Sequence, residues 1–153
     1  MLFRSEGAVF SFTTSSERAV YRLQDRLFSV PLTGGTPLEI DDPLPAFAGV
    51  EEFELTPDGS QVVYRADAVT LNRFILLVVP ADHSTTPRVL NAAMPPGADV
   101  ASFELTPGGT HALYTVASSS PSQVFAVPLA GGPAVLLGPE NFTTRLQIGR
   151  AHV

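Results

Sequence analysis

The residues with the greatest potential for acid–base or metal chemistry in this sequence are its three histidines. His83 lies in a polar stretch, His111 follows Gly109-Thr110, and His152 stands next to the last residue. Neither His83 nor His111 has a second histidine, a cysteine or a carboxylate at the spacing of a metal site. The sequence therefore predicts no metal ligand and no cofactor, and it predicts that both of these histidines are structural.

Two acidic pairs, Asp41-Asp42 and Glu51-Glu52, flank the segment 43–50. Paired carboxylates can attract a cation or a basic partner, but the spacing of a calcium-binding loop is absent from this sequence. We therefore expect all four carboxylates to belong to a solvated surface.

Candidate nucleophiles are not arranged for catalysis either. The Gly-x-Ser-x-Gly sequence of a nucleophile elbow is absent, and Ser118–Pro121 has the composition of a loop tip. Tyr21, Tyr64 and Tyr114 recur at equivalent places, which predicts a packing role, because a catalytic residue is needed only once. The sequence predicts no catalytic residue in this chain, and it leaves open whether a longer parent protein is an enzyme.

Composition excludes two further classes of function. The formal net charge is −6, and the nine basic residues, all arginine, are scattered, so we expect no nucleic-acid partner. The longest apolar run, Phe74–Val79, is far shorter than the roughly 20 residues of a membrane span. Fourteen prolines and twelve glycines interrupt the chain so often that many short strands are favoured over long helices.

The chain contains an internal repeat. The letters FELTP occur at Phe53–Pro57 and again at Phe103–Pro107, and three similar passes begin at Phe10, Phe53 and Phe103. The repeated tyrosines are 43 and 50 residues apart. A repeat of about this length is typical of arrays in which each unit must stack on its neighbours to bury a core.

Each pass is predicted to contain four short strands. In the second pass Phe53–Leu55 alternates apolar and polar residues, Thr56–Gly59 has the residues of a tight turn, and Gln61–Ala66 is rich in valine. Phe74–Val79 is apolar throughout, which is typical of a strand buried on both faces. The turn into the fourth strand is Asp82–Thr86 here, and it is a glycine pair, Gly34-Gly35 or Gly131-Gly132, in the other passes.

Four antiparallel strands in every 40–50 residues or so indicate the blade of a β-propeller. A β-sandwich of short strands is the alternative, although a sandwich does not require a repeat. The pattern FELTPDGSQVVYRAD, followed by VPLAGGPAVLL, resembles the TolB-like, WD-repeat-like propeller repeats of bacteria. The resemblance extends from Phe10 to about Leu137. The first pass departs from it, because Thr14–Glu17 stands where the Pro-Asp-Gly turn is expected.

The two ends of the chain are predicted to be foreign to the fold. Gln147–Val153 can be encoded by CAG ATC GGA AGA GCA CAC GTC, which from its second base resembles a common sequencing adapter. Met1–Ser5 can be encoded by GTG CTC TTC CGA TCT, and its reverse complement is the start of that same adapter string. An inverted pair at the two ends indicates an insert of environmental DNA taken from a larger gene.

The predicted organisation therefore has five segments. Adapter-derived residues 1–5 precede a divergent first blade at 6–49, a second blade at 50–99 and an incomplete third blade at 100–146, and residues 147–153 are again adapter-derived. We expect residues 1–5 and 147–153 to pack poorly, because unselected residues have no partners in the fold.

The resemblance implies a function in binding. Such propellers serve as scaffolds, receptors and gating domains, so we expect a non-catalytic platform for a protein or peptide, in a bacterial parent that is periplasmic, envelope-bound or secreted. The first alternative is the gating propeller of a prolyl-oligopeptidase-like serine peptidase, and the second is a catalytic propeller whose site lies in blades outside this chain. We also expect uncovered blades to cause non-native self-association.

Overall fold

The computed structural model describes residues 2–5, 8–11, 13–14, 17–41, 44–118 and 122–139, with side chains for 17–41, 44–118 and 122–138. These residues form strands, turns and connections and contain no helix. The strands, in chain order, are β1 Leu2–Ser5, β2 Ala8–Ser11, β3 Thr13–Thr14, β4 Arg18–Leu23, β5 Arg26–Pro31, β6 Leu38–Glu39, β7 Val50–Leu55, β8 Gln61–Thr70, β9 Arg73–Pro80, β10 Arg88–Val89, β11 Asp99–Leu105, β12 His111–Ala117, β13 Gln123–Pro128 and β14 Val135–Pro139.

Twelve of these strands form three four-stranded antiparallel sheets, in the orders β3-β4-β5-β6, β7-β8-β9-β10 and β11-β12-β13-β14. Each sheet is one pass of the repeat, and no sheet mixes strands from different passes, as a sandwich would require. The predicted all-β class, a partial β-propeller of successive four-stranded antiparallel blades, is confirmed. We call the sheets blades 1, 2 and 3. The strands β1 and β2 form a separate two-stranded hairpin.

The repeated tyrosines occupy equivalent places in the three blades. Tyr21 lies opposite Phe28 on the third strand of its blade, and Tyr114 lies opposite Phe125 in the same way. Tyr64 lies opposite Leu77. The alignment of the second and third passes is therefore confirmed residue for residue at this position.

The first blade departs from the alignment that begins at Phe10. Phe10 lies in β2, which pairs with β1 and not with β4. Val20 pairs with Thr13, whereas the equivalent Val63 pairs with Glu54, so the first turn is two residues shorter than in blade 2. Blade 1 lacks the Pro-Asp-Gly turn, and among its described residues Thr13 and Thr14 pair with β4.

The repeated FELTP segment closes the first hairpin of blades 2 and 3. In blade 2 the N–H of Thr56 donates to the carbonyl of Gln61 at 2.9 Å, and the N–H of Gln61 donates to the Thr56 hydroxyl at 3.1 Å. Thr106 and His111 make the same two bonds in blade 3, at 3.0 and 3.2 Å. Threonine is required because its hydroxyl accepts the N–H that begins the next strand.

Neighbouring copies of this turn also touch. A Cβ atom on Gly109, whose φ is +70°, would lie 2.6 Å from the Pro57 ring of the preceding blade. The close approach of the two turns explains the glycine, since any side chain here would force the blades apart. The same five letters therefore occur twice because each copy closes the first hairpin of its own blade, and the turn of blade 2 packs against that of blade 3.

The core consists of two layers, one between each pair of blades. Blade 2 contributes to both: Val62 and Tyr64 belong to the layer shared with blade 1, and Val63 and Leu76 to the layer shared with blade 3. The central strand β9 is buried from Ile75 to Val79, so the predicted burial on both faces is confirmed. Blade 2 is thus covered by a blade on each side.

The two ends predicted to be foreign have different outcomes. The backbone of Leu2–Ser5 pairs with that of Ala8–Ser11. Residues 2–5 are therefore more ordered than the prediction of poor packing for residues 1–5 implies. Residues 147–153 lie outside the described residues. The assignment of both ends to adapters, and the blade boundaries drawn from it, stay predictions.

Candidate interaction surface

The two ends of the blades carry different segments. The hairpins β4–β5 and β8–β9 and the connections after β6 and β10 lie at one end, because strand direction alternates within each antiparallel sheet. We call this the connection end. The tight turns between the first and second strands and between the third and fourth strands lie at the other end, which we call the turn end.

Arginines at the connection end join the blades. The Arg22 guanidinium donates from Nη1 to the carbonyls of Val50 and Glu51, both at 2.7 Å. The equivalent Arg65 donates to the carbonyl of Val100 at 3.3 Å. Each arginine thus reaches the first strand of the following blade.

A further arginine holds the connection into blade 3. Arg73 donates to the carbonyls of Met94, Pro95 and Ala98 at 3.1, 3.3 and 3.3 Å. Arginine suits this role because its five N–H groups can satisfy several carbonyls at once. These three cationic side chains stabilise the stack and do not form a basic patch.

The two connections contain the same turn, with one unexpected residue. The N–H of Ala48 donates to the carbonyl of Pro45 at 3.1 Å, and Ala98 and Pro95 repeat this bond at the same distance. The third residue of the turn has φ +80° at Gly97 and φ +67° at Phe47. Positive φ at this position favours glycine, and a bulky residue there is an outlier, which costs about 1–3 kcal/mol.

The Phe47 side chain is 94% exposed. Burial therefore does not offset the backbone strain. Aligning LPAFAGV at Leu44–Val50 with MPPGADV at Met94–Val100 places Phe47 opposite Gly97. The sequence therefore contains a signal for Phe47, which motifs of catalytic residues do not include.

The carboxylate of Asp67 fixes the β8–β9 hairpin to the Phe47 turn. Asp67 accepts the N–H of Gly49 at 2.7 Å and the N–H of Asn72 at 2.9 Å. Burial raises the pKa of Asp67. The hydrogen bonds from Asn72 and Gly49 together lower this pKa by more than burial raises it, so the pKa lies below its usual value. The hairpin carries two exposed apolar side chains, Val69 at 73% and Leu71 at 45%.

Two exposed carboxylates lie near these apolar residues. Asp25 and Glu51 are exposed, and neither makes a hydrogen bond or an ion pair from its carboxylate with another described residue. Asp25 lies close to Gly49, because a Cβ atom on that glycine would be 2.6 Å from the Asp25 Cβ. We define the Phe47 surface as Phe47, Val69, Leu71, Asp25 and Glu51.

Both histidines predicted to be structural lie in turns or hairpins. His83 has φ +54° and donates its N–H to the carbonyl of Pro80. Gly34 and Gly131 occupy this position in the other blades, with φ +95° and +112°. His111 pairs with Thr106 in the first hairpin of blade 3, so both positions are explained by the backbone.

Asp58 acts within its own turn. Its Oδ1 accepts the N–H of Ser60 at 3.0 Å, the Ser60 hydroxyl at 2.8 Å and the Thr56 hydroxyl at 2.7 Å. These bonds, with that from the Ser60 N–H first, lower the pKa of Asp58. The side chain therefore organises the turn and is not presented to a ligand.

The prediction that both acidic pairs are solvated is wrong for Asp41. Its exposure is 1%, and its Oδ2 accepts the N–H of Leu27 at 3.1 Å. Burial raises the pKa of Asp41 to about 6. Asp42 lies outside the described residues, Glu51 is exposed, and Glu52 pairs with Arg65 at 3.1 Å.

The remaining predictions concern the loop Ser118–Pro121 and the packing of the repeated tyrosines. Ser118 is exposed, and residues 119–121 lie outside the described residues. Tyr64 and Tyr114 are 0% and 1% exposed and belong to the two core layers, as their repetition predicted. Among the described residues, no three histidine or acidic side chains are grouped as a metal site would need, and no helix long and apolar enough to cross a membrane occurs.

No protein-family model matches the sequence, and no curated protein matches it. Solved structures do. A TolB from Agrobacterium tumefaciens aligns with a TM-score of 0.58 and 15% identity, covering 84% of this chain and 45% of that one. A structure from a mechanistic study of two prolyl endopeptidases aligns with a TM-score of 0.56 and 15% identity, covering 91% of this chain and 22% of that one.

The chain thus spans less than half the length of either of these proteins. At this identity the likeness shows the fold alone. The three stacked sheets therefore have the fold of β-propeller blades and resemble the propeller of the TolB structure.

Proposed function

We propose that this chain is a three-blade part of a larger bacterial β-propeller protein that serves as a non-catalytic platform for a protein or peptide. The observation that carries the proposal is the contrast at the connection end. Arg22, Arg65 and Arg73 donate to carbonyls of the following blade or of the connection into it, while apolar side chains on two segments face solvent. Exposed apolar residues on connections held by a rigid scaffold are typical of binding surfaces.

The hydroxyls and histidines that could do chemistry have other roles, which favours the same proposal. Thr56 and Thr106 close hairpins, and His83 and His111 lie in backbone turns or strands. A periplasmic, envelope or secreted location for the parent rests on the resemblance to TolB-like repeats.

A second function is favoured by one observation, the structural likeness to a prolyl endopeptidase. In that case the blades are part of a gating propeller, and the catalytic serine lies in another domain of the parent.

The full-length reading frame from the same DNA separates these two functions. We expect additional blades without a Gly-x-Ser-x-Gly segment, and no labelling of the purified parent by a fluorophosphonate, which reacts with activated serines. A Gly-x-Ser-x-Gly segment together with labelling would establish the peptidase instead.

The isolated chain is expected to have no hydrolase activity. His111 Nδ1 lies 2.9 Å from the Thr110 hydroxyl, but this contact joins adjacent side chains on an exposed turn. Chromogenic esters and peptide p-nitroanilides should be turned over no faster than in buffer. Turnover that is lost in His83→Ala or His111→Ala would overturn this prediction.

Residues 6–146, expressed alone, are expected to be marginally stable and to self-associate. The outer strand of blade 3 exposes Val135, Leu136 and Leu137 at 57%, 52% and 48%. An exposed apolar edge strand promotes association between copies. Sedimentation velocity and thermal melting should show a concentration-dependent mixture, whereas a chain with the full set of blades should be a stable monomer.

A matched pair of variants tests whether the face of blade 3 directed away from blade 2 is the one that associates. Val135 lies opposite Ala126 on that face, whereas Leu136 lies opposite Phe125 on the face toward blade 2. Val135→Lys should reduce association, and Leu136→Lys should change it less. A stable monodisperse monomer of unmodified 6–146 would contradict the prediction and would favour a complete small β-fold.

A further inference from the structure

Phe47 is not explained by the fold. Its positive φ is unfavourable for a phenylalanine, and its ring gains no burial because the side chain is 94% exposed. The equivalent turn before blade 3 uses Gly97 and makes the same Pro–Ala hydrogen bond. A strained residue that the turn does not need indicates a role outside the fold.

Phe47 belongs to a surface that is held in place. Gly49, two residues after it, and Asn72, next to Leu71, donate to the same Asp67 carboxylate. Arg22 fixes the strand that follows through the carbonyls of Val50 and Glu51. Because these bonds fix the backbone of both segments, the segments lose little backbone conformational freedom on binding.

The charges of the Phe47 surface limit its partner. The carboxylates of Asp25 and Glu51 are exposed and unpaired among the described residues, while Arg22 is bonded to backbone carbonyls. With a formal charge of −6 on the whole chain, phosphate-rich partners are repelled and basic groups are attracted. The chemistry that fits is an apolar side chain with a cationic neighbour.

We propose that the Phe47 surface binds a polypeptide segment in which an aromatic or leucine side chain stands next to lysine or arginine. This proposal rests on the proposed platform function and names the site and the partner. The apolar side chain packs against Phe47, Val69 and Leu71, and its cationic neighbour approaches the carboxylates of Asp25 and Glu51.

The test is a selection of random nonapeptides displayed on phage against the immobilised chain. We expect the enriched peptides to place an aromatic residue or leucine within two positions of lysine or arginine. Synthetic copies should bind Phe47→Gly at least about tenfold more weakly in fluorescence anisotropy, the effect of losing about 1.4 kcal/mol. Phe47→Gly should melt at the same or a higher temperature, so that lost binding is not lost folding.

Two further variants control the result. Asp25→Asn combined with Glu51→Gln should weaken the peptides and make their binding less dependent on salt. Leu32→Ser, which removes an apolar residue of 55% exposure from the turn end, should change nothing. These variants separate a specific surface from general apolar adhesion.

Four outcomes would overturn the proposal: no enriched peptide, enriched peptides that bind Phe47→Gly equally well, enriched peptides that lack basic residues, or Phe47-dependent binding to vesicles of phosphatidylcholine and phosphatidylserine. None of them decides the platform function, which is judged by the full reading frame and by fluorophosphonate labelling. The two proposals therefore fail separately.

Discussion

Replacing the repeated tyrosine by alanine is expected to cost about 3–5 kcal/mol at Tyr64 and at Tyr114, and clearly less at Tyr21. Tyr64 is 0% exposed and Tyr114 is 1% exposed, each within a layer between two blades. Tyr21 has the same place in blade 1 but is only half-buried. The same substitution at three equivalent positions therefore measures how well each blade is covered.

The stacking partners do not explain the expected difference. Tyr21 stacks on Phe28 with ring centroids 5.6 Å apart, and Tyr114 stacks on Phe125 at 5.2 Å. Both substitutions remove a similar ring contact. What differs is the neighbouring blade, which covers Tyr114 more completely than any described residue covers Tyr21.

Urea denaturation followed by circular dichroism measures the three losses, provided that the variants fold. Where an alanine variant does not fold, the corresponding leucine variants should lose less in the same order, because leucine refills part of the cavity. Equal losses at all three positions would contradict the stacked arrangement of the blades.

Removing only the hydroxyl provides a control for the polar contribution. The Tyr114 hydroxyl accepts the N–H of Ala92 at 3.0 Å, whereas the Tyr64 hydroxyl is buried without a hydrogen-bond partner among the described residues. Tyr114→Phe should therefore cost about 1–2 kcal/mol, and Tyr64→Phe should be close to neutral. The reverse order would show that Tyr64 has an unrecognised partner.

The sequence predicts blades 2 and 3 well because their local signals agree. Alternation in Phe53–Leu55, the Thr-Pro turn and the buried apolar strand Phe74–Val79 each specify a hairpin element without reference to distant residues. Blade 1 lacks the Pro-Asp-Gly turn, and the register there was misplaced by two residues. A register depends on the turn that sets it, so one missing turn is enough to shift a strand.

Contacts between blades could not be predicted from the sequence. Arg22 binds the carbonyls of Val50 and Glu51 in the next blade, and Asp41 is only 1% exposed, yet the letters around them are those of exposed polar residues. Phe47 was missed for a different reason, since its signal appears only when one connection is aligned with the other. Burial and strain are properties of the stack, and a local pattern does not contain them.

The second large effect on stability is expected for substitution of Asp41. The equivalent residue of blade 2, Asn91, indicates its direction. Asp41 Oδ2 accepts the N–H of Leu27 at 3.1 Å, and at the equivalent place Asn91 Oδ1 accepts the N–H of Leu76 at 2.8 Å. The fold therefore needs an oxygen acceptor here but no charge. Asp41→Asn tests this directly, and Asn91→Asp is its reciprocal control.

The pH dependence follows from the pKa of Asp41. Burial raises this pKa from 3.8 to about 6; the Leu27 N–H lowers it, Glu39 raises it and Arg26 lowers it. Burial raises the pKa of Tyr64, and the negative charge of Asp41 raises that pKa further. Because the folded carboxyl binds its proton more tightly than the unfolded one, the folded state is favoured below pH 4, and this advantage is lost as the pH rises through about 6.

We therefore expect Asp41→Asn to raise the free energy of unfolding by about 1–3 kcal/mol at pH 7.5 and to have little effect at pH 4. Asn91→Asp should lower it at pH 7.5 and recover on acidification. At each pH the free energy of unfolding of a variant is compared with that of the unmodified chain. This is necessary because the pKa values of Asp67 and Asp82 are lowered in the fold, so protonation of these two carboxylates in acid destabilises every variant. If Asp41→Asn were destabilising at pH 7.5, the carboxylate would have a buried cationic or donor partner, and the equivalence of Asp41 and Asn91 would be refuted.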